Sequence, residues 1–305
     1  MIKAIYPIME KLQPITKKFC KNPSILIFMD GGTSSQISNY VSYRYFSQIH
    51  PNVKLDLSWY DKSEKDENSS VARPFNLDKL FDVPAINMAN KMESILYKLF
   101  YSYFPGAEEK KNGISVDLSQ IKLPDAPVYL RDYYYWPSNN TESGIKEFLS
   151  LKKVEDILDD EAGMSLYKRI ISEKSTVVGV HVRRGDMAVI KSNSYWSLIP
   201  DDYFVNVTQI PELQGELFVF FSEEPEYIEK NIIPKCLEKN KDFRYCISKS
   251  YSSYYGYKDL FLLSRCDVLV KSQGSFGLYA YYISDNDNKK LISYDENEEL
   301  LWKQN

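Results

Sequence analysis

Near the middle of the chain, His181-Val182-Arg183-Arg184-Gly185-Asp186 sets an imidazole, two guanidiniums and a carboxylate side by side. A guanidinium matches two phosphate oxygens with two parallel N–H donors, so this run has the chemistry of an anion grip. It follows Thr176 to Val182, a short, β-branched, apolar run without proline, which reads as a parallel strand covered on both faces. Side chains alternate along a strand, so His181 and Arg183 project to one face and Val180, Val182 and Arg184 to the other. One face then offers an imidazole and a guanidinium to one ligand beyond the strand's carboxyl end, where open α/β sheets bind ligands. The same residues also fit a plain strand edge closed by a surface Arg-Asp pair.

A second element of the same kind is Lys271-Ser272-Gln273-Gly274-Ser275-Phe276-Gly277, between the strand Val268-Leu269-Val270 and a helix. Backbone N–H groups near Gly274, Ser275 and Phe276, at the helix start, favour an anion, and glycine removes the side chain that would block close approach. Arg183 and these amides could hold a pyrophosphate between them without a metal ion. Taken alone, Ser-Gln-Gly-Ser fits a simple helix cap equally well. Ser222-Glu223-Glu224, after the strand Leu217 to Phe221, is a third polar loop, with Pro225 suited to the first turn of the helix beyond it.

These loops need a frame that brings them together. Three strand-to-helix crossovers in succession from Thr176 predict a parallel sheet, and its polar loops, Arg183 to Asp186, Ser222 to Glu224 and Ser272 to Ser275, then gather at one sheet edge. Ahead of them, Ile25 to Met29 reads as a buried strand running into Asp30-Gly31-Gly32-Thr33-Ser34-Ser35-Gln36. A helix from Ile37 to about Gln48 follows, the opening of a Rossmann-like unit. At 305 residues two domains are the default. We place them at 1–165 and 166–305, with the boundary in the acidic helical stretch after Tyr133-Tyr134-Tyr135-Trp136. Lys62 to Ser70 and Glu108 to Gly113 read as surface loops of the first domain, and Asn87 to Tyr103 as a helix. The lysine-rich residues 1–23 fit a helix packed on the protein body, or one lying on an anionic membrane.

Composition narrows the partners. A formal net charge of -4 argues against nucleic acid, and the longest apolar runs are too short to cross a bilayer. No secretory signal is evident, and four cysteines without C-x-x-C spacing fit a reduced, cytoplasmic protein. With only two histidines, His50 and His181, no metal or redox centre is expected. Asp285-Asn286-Asp287, the one tempting D-x-D pair, reads as a turn.

Once these motifs are set in order, the chain resembles the H-x-R-R-x-D fucosyltransferases, the superfamily that makes α1,2, α1,6 and protein O-linked fucose. Its nearest likeness is to the bacterial α1,2 branch, glycosyltransferase family 11. His181-Val182-Arg183-Arg184-Gly185-Asp186 matches the signature itself. Phe221-Ser222-Glu223-Glu224 with Tyr227 and Lys230 is similar to the F-S-D-D-x-x-W-x-K segment, with glutamates for aspartates. Asp259 to Cys266, continued by Ser272 to Phe276, resembles the D-x-x-L-M-S-x-C stretch and its N-S-S-F loop. Gly31, Gly32 and Gln36 echo the G-G-x-G-N-Q turn, and Leu77-Asp78-Lys79-Leu80-Phe81 is similar to another short family segment.

The resemblance implies an α/β, GT-B-like fold of two Rossmann-like domains with a cleft between them, the second holding GDP-fucose. It implies inverting transfer of L-fucose from GDP-β-L-fucose to the 2-hydroxyl of a terminal galactose-type residue, without a metal or other cofactor. The acceptor would be a galactose-containing glycan or lipid-linked oligosaccharide of bacterial surface polysaccharide, O-antigen among them. The enzyme would then be cytoplasmic, or peripheral on the cytoplasmic face of the membrane. Arg183 would bind the β-phosphate and stabilise departing GDP, and His181 and Asp259 would contact the guanosine half. Ser222, Glu223, Gly274, Ser275 and Phe276 would complete the donor site. Arg184 and Asp186 would hold the loop, with Asp186 or a nearby carboxylate available as base. In one place the chain departs from the family: Ser34 and Ser35 stand where the turn has glycine and asparagine, which removes an amide able to touch the donor. That departure fits a non-catalytic nucleotide-sugar-binding protein, and α1,6-fucosyl transfer is the alternative within the superfamily.

Overall fold

Every residue of the strand Ile25–Phe28 (β1) is apolar and buried, and β1 lies inside the four-stranded sheet of the first structural unit. The computed structural model describes residues 24–63, 72–100, 102–103, 127–130, 142–189, 198–248, 253–294 and 301–303. The 1–23 segment, most of the Lys62 to Ser70 loop, the Glu108 to Gly113 loop and the aromatic run 133–136 lie outside the described residues. Gly31, at φ 76°, turns the chain after β1 into the helix Thr33–Ile49 (α1). This helix starts earlier than the Ile37 expected from sequence, because the Gln36 N–H already donates to the Gly32 carbonyl at 3.1 Å. Ser34 and Ser35 therefore belong to its first turn, a position that short hydroxyl residues tolerate well.

The strands Val53–Asp56 (β2), Ser102–Tyr103 (β3) and Val128–Leu130 (β4) complete a sheet of order β2-β1-β4-β3, parallel throughout. The helix Lys91–Phe100 (α2) precedes β3, and Glu142–Phe148 (α3) follows β4. Helix α2 is shorter than the span from Asn87 expected from sequence. Residues 87–89 are extended instead and exchange backbone hydrogen bonds with Leu55 of β2.

The second unit is built on six strands, in the order Leu301–Lys303, Lys290–Ser293, Val268–Lys271, Val177–His181, Leu217–Phe221 and Arg244–Ile247. Its longer elements begin with the helix Glu161–Ser172 (α4) and Val177–His181 (β5), then Asp201–Val207 (α5), Leu217–Phe221 (β6), Ile233–Lys239 (α6) and Arg244–Ile247 (β7). Gly256–Leu263 (α7), Val268–Lys271 (β8), Phe276–Ile283 (α8), Lys290–Ser293 (β9) and Leu301–Lys303 (β10) complete it. All neighbours pair in parallel except the terminal β10, which runs antiparallel to β9. Strand parity sorts the core. Val178, Val180 and Val182 pack with Phe218, Phe220, Phe204, Ile228 and Ile232 on one face. On the other face Gly179 makes room for α7: a Cβ there would sit 2.6 Å from Leu263 Cδ1 and 2.8 Å from Cys266 Sγ.

The units divide after Ser150, not at the residue 165 expected from sequence, and residues 65–81 join the second unit. The cause is packing. The buried Lys258 ammonium of α7 pairs with Asp159 and Asp160 just ahead of α4, and the Tyr167 ring of α4 lies 5.9 Å from Phe261. Phe81 bridges to Leu151, and Asn76 Nδ2 donates to the Tyr254 carbonyl at 2.8 Å.

Candidate active site

The carboxyl ends of β5, β6 and β8 lie side by side, so the three polar loops that follow them share one edge of the second sheet. One hydroxyl ties two of the loops together. Ser272 Oγ donates to the His181 carbonyl at 2.6 Å and accepts from the Arg183 N–H at 2.9 Å. Both backbone groups lie where β5 stops, and leaving either unsatisfied in a buried place costs about 1–3 kcal/mol. Ser272 thus fixes where the Arg183 side chain leaves the strand.

From that point Arg183 reaches Gly274, which sits at φ 83° just before α8. A Cβ on Gly274 would lie 2.6 Å from Arg183 Nη1, so the guanidinium rests against the bare backbone of this loop. Ser275 caps α8 without a side-chain bond, and the first turn of α8 holds no acidic residue. A guanidinium and the start of a helix therefore converge, which is a positive site built from a full charge and a helix dipole.

His181 lies beneath them. Its ring stacks on Phe276, centroids 4.5 Å apart, and its Nδ1 is buried without a hydrogen-bond partner. Burial, with the charges of Arg183 and Lys271 adding to it, pushes its pKa down to about 3. The imidazole is therefore neutral at ordinary pH, with one nitrogen available to a ligand.

Two carboxyls flank the cations. Glu223 lies against Gly185, where a Cβ would come 3.4 Å from its carboxyl carbon, and it accepts from the Arg184 N–H at 3.4 Å. Burial raises its pKa, opposed by a backbone hydrogen bond and by the charge of Arg73. Asp259, on α7, is buried and accepts from Ser248 Oγ at 2.8 Å. Its pKa rises to about 7, chiefly from burial, while Ser248 lowers it and Glu223 raises it further. Arg184 turns toward the protein: its Nε pairs with Glu224 at 2.9 Å and its guanidinium lies over the Tyr227 ring. Ser222 is buried and accepts from the Glu224 N–H at 3.1 Å, closing the β6 loop. Beside Ser248, a cavity of about 710 Å³ opens at the β7 edge, lined by Arg169 of α4, Tyr245 to Ser248 and Leu262.

His181, Arg183, Ser222, Glu223, Asp259, Gly274, Ser275 and Phe276 thus all belong to one edge of the second unit. Gly31, Gly32 and Gln36 form a turn of the first unit, where the Gly31 carbonyl accepts from Gln36 Nε2 at 3.3 Å and from Tyr60 Oη at 3.1 Å. Asp186 lies in the helical turn Gly185–Val189, and its side chain falls outside the described residues. Asp285-Asn286-Asp287 is a turn, as expected, with Asp285 bound to Arg265 and the Asn286 amide bound to Asp267.

Sequence reasoning assigned no role to three residues here. Ser272 is the link already described, and Arg73, in the 72–76 segment, acts on Glu223 through its charge. Gln273 has both side-chain amide atoms buried without a hydrogen-bond partner, between the two residues that meet Arg183. A buried amide left unpaired on both atoms is costly and points to a partner that arrives with a ligand. Its only sequence signal is its place, directly before Gly274.

Residues 82–305 match the family model described as Glycosyl transferase family 11. Over 271 residues the chain is 23% identical to the O-antigen biosynthesis glycosyltransferase WbnK of Escherichia coli, a match spanning 88% of this chain and 83% of that protein. A stretch of 126 residues is 28% identical to galactoside alpha-(1,2)-fucosyltransferase 2 of Rattus norvegicus, covering 40% of this chain and 34% of the rat protein. The crystal structure of fucosyltransferase NodZ from Bradyrhizobium superposes with a TM-score of 0.55 over 93% of this chain and 99% of that one, at 14% identity. The two share the GT-B-like α/β fold.

Proposed function

The chain belongs to glycosyl transferase family 11, a family of fucosyltransferases, and from that premise we propose that it moves L-fucose from GDP-β-L-fucose to the 2-hydroxyl of a terminal galactose-type residue, with inversion. The observation that carries this reading is the junction of Arg183 with Gly274 and the start of α8. In such a transfer the sugar carbon becomes oxocarbenium-like while negative charge grows on the departing phosphate oxygen. A fixed guanidinium and helix-start amides aimed at that oxygen act mainly in the transition state. The acceptor hydroxyl meets an electron-poor carbon, so a weak base suffices, and Asp186 or another carboxylate of the site such as Glu223 could serve. The charge is handled by protein groups, so turnover should persist in EDTA. The names of the E. coli and rat relatives support a surface-glycan acceptor ending in galactose; work at or near the cytoplasmic face of the membrane is part of the same proposal.

On the nucleotide side, Asp259 accepts N–H donors from guanine, and neutral His181 offers its free nitrogen to the nucleoside. Only ionised Asp259 can accept two such donors, and its pKa in the free protein is about 7. Binding of the neutral base edge therefore draws a proton off Asp259. Affinity for GDP-fucose should rise with pH up to about pH 7, by about tenfold per unit below it, and level off above. GDP-fucose is the right probe because its diphosphate does not titrate in that window. Calorimetric titrations across the window should show this slope in the parent and its loss in Asp259→Asn. A flat parent, or an unchanged slope in the variant, would remove Asp259 from the base site.

A further inference from the structure

Gln273 lies between two fixed neighbours. On one side Ser272 binds the His181 carbonyl and the Arg183 N–H. On the other Gly274, at φ 83°, carries the Arg183 guanidinium against its bare backbone. The Gln273 amide has no such anchor: Oε1 and Nε2 are both buried, and neither has a hydrogen-bond partner among the described residues. Nδ1 of His181, whose carbonyl Ser272 holds, is buried and unpaired as well. A buried polar atom without a partner forfeits its bonds to water, so several of them at one sheet edge mark a place that a ligand completes. Gln273, Gly274, Ser275 and Arg183 are each only half-buried, so the loop lies at the surface. Rotation about the side chain's own bonds can carry the amide to a ligand held by Arg183.

The chemistry of an amide restricts what that ligand offers. Nε2 donates and Oε1 only accepts, so a full match needs an acceptor and a donor side by side. A diphosphate supplies acceptors alone, and Arg183 with the backbone N–H groups at the start of α8 already offers it donors. With phosphate as its one partner, Oε1 would stay unpaired. A hydroxyl both donates and accepts, and two hydroxyls on neighbouring carbons present a donor and an acceptor together. In a nucleotide sugar such pairs stand on the ribose and on the transferred sugar.

We propose that Gln273 recognises a pair of neighbouring hydroxyls on the donor, one donating to Oε1 and the other accepting from Nε2, so that it reads sugar where Arg183 reads phosphate. That the donor is GDP-fucose rests on the function proposed above. The demand for a hydroxyl pair rests on the amide.

The test is Gln273→Met, which keeps the length of the side chain and removes the amide. Freed of an unpaired buried group, the variant should melt at the parent's temperature or a few degrees above it when no ligand is present. Dissociation constants from calorimetry should rise by at least about tenfold for GDP-fucose. They should stay unchanged for dideoxy-GDP, which carries neither hydroxyl pair. GDP separates the two sources: a loss equal to that on GDP-fucose puts the pair on the ribose, and a smaller loss or none puts it on the transferred sugar. The proposal is overturned if the variant binds GDP-fucose as the parent does, or if it loses as much on dideoxy-GDP. It is also overturned if the variant melts well below the parent, since the amide would then have a partner in the free protein. A parent that binds GDP but not GDP-fucose would bring down the functional reading instead, and Gln273 would be decided by GDP against dideoxy-GDP.

Discussion

Arg183→Lys keeps the fold and loses about a hundredfold to a thousandfold in turnover, the cost of removing one preorganised donor from a developing oxyanion. Lysine keeps the charge but offers a single ammonium on a flexible stem, which cannot reproduce two parallel N–H bonds to one phosphate. The backbone at this position is held independently of the side chain, through the Arg183 N–H and Ser272 Oγ, so the strand end should not move. Thermal melting of the variant should match the parent while initial rates fall at saturating GDP-fucose. The loss belongs in kcat, because the interaction grows as the phosphate departs. A variant with near-normal turnover would take Arg183 out of the chemistry.

Gly274→Ala should approach the same loss by a different route. At φ 83° an alanine is strained, and its Cβ would stand 2.6 Å from Arg183 Nη1. The far end of an arginine side chain is flexible, so the clash is relieved by moving the guanidinium, and stability suffers mainly through the backbone strain, about 1–2 kcal/mol. The guanidinium, however, leaves the position from which it meets the phosphate. Turnover should therefore drop by about a hundredfold while the melting temperature falls by only a few degrees. Rates and melting curves on Gly274→Ala, Arg183→Lys and the double variant decide the matter. If Gly274 acts by placing Arg183, the double variant should be scarcely slower than Arg183→Lys, whereas multiplicative losses would mean that the two act separately.

The edge that carries these residues is legible in the sequence because it obeys simple rules. Alternation along Val177 to Val182 sorts Val178, Val180 and Val182 into the core and His181 and Arg183 to the other face, and the crossovers bring the Ser222 and Ser272 loops beside them. Strand β7 is harder to read. Arg-Tyr-Cys-Ile lies at the sheet's edge, half-exposed, and has neither the continuous apolar run of a central strand nor clean alternation. The domain boundary depends on Lys258 reaching Asp159 and Asp160 nearly a hundred residues away, a contact that local pattern does not encode. The same holds within the site. The Ser272 link, the unpaired amide of Gln273 and the action of the Arg73 charge on Glu223 exist only once separate segments are folded together. The start of α1 at Thr33 is a smaller case: Gly31 and Gly32 suggest a longer turn, yet the hydrogen bond from Gln36 to Gly32 closes the first helical turn at once.

The central claim is fucosyl transfer to the 2-hydroxyl of a galactose-type acceptor by protein groups alone. It is tested most directly by incubating the purified chain with GDP-fucose, EDTA and a panel of β-galactosides, then determining the linkage of any product by nuclear magnetic resonance. The expected result is release of GDP matched by an α1,2-fucosylated galactoside. Tight nucleotide binding with neither GDP release nor product, or a product joined through another hydroxyl, would contradict the account.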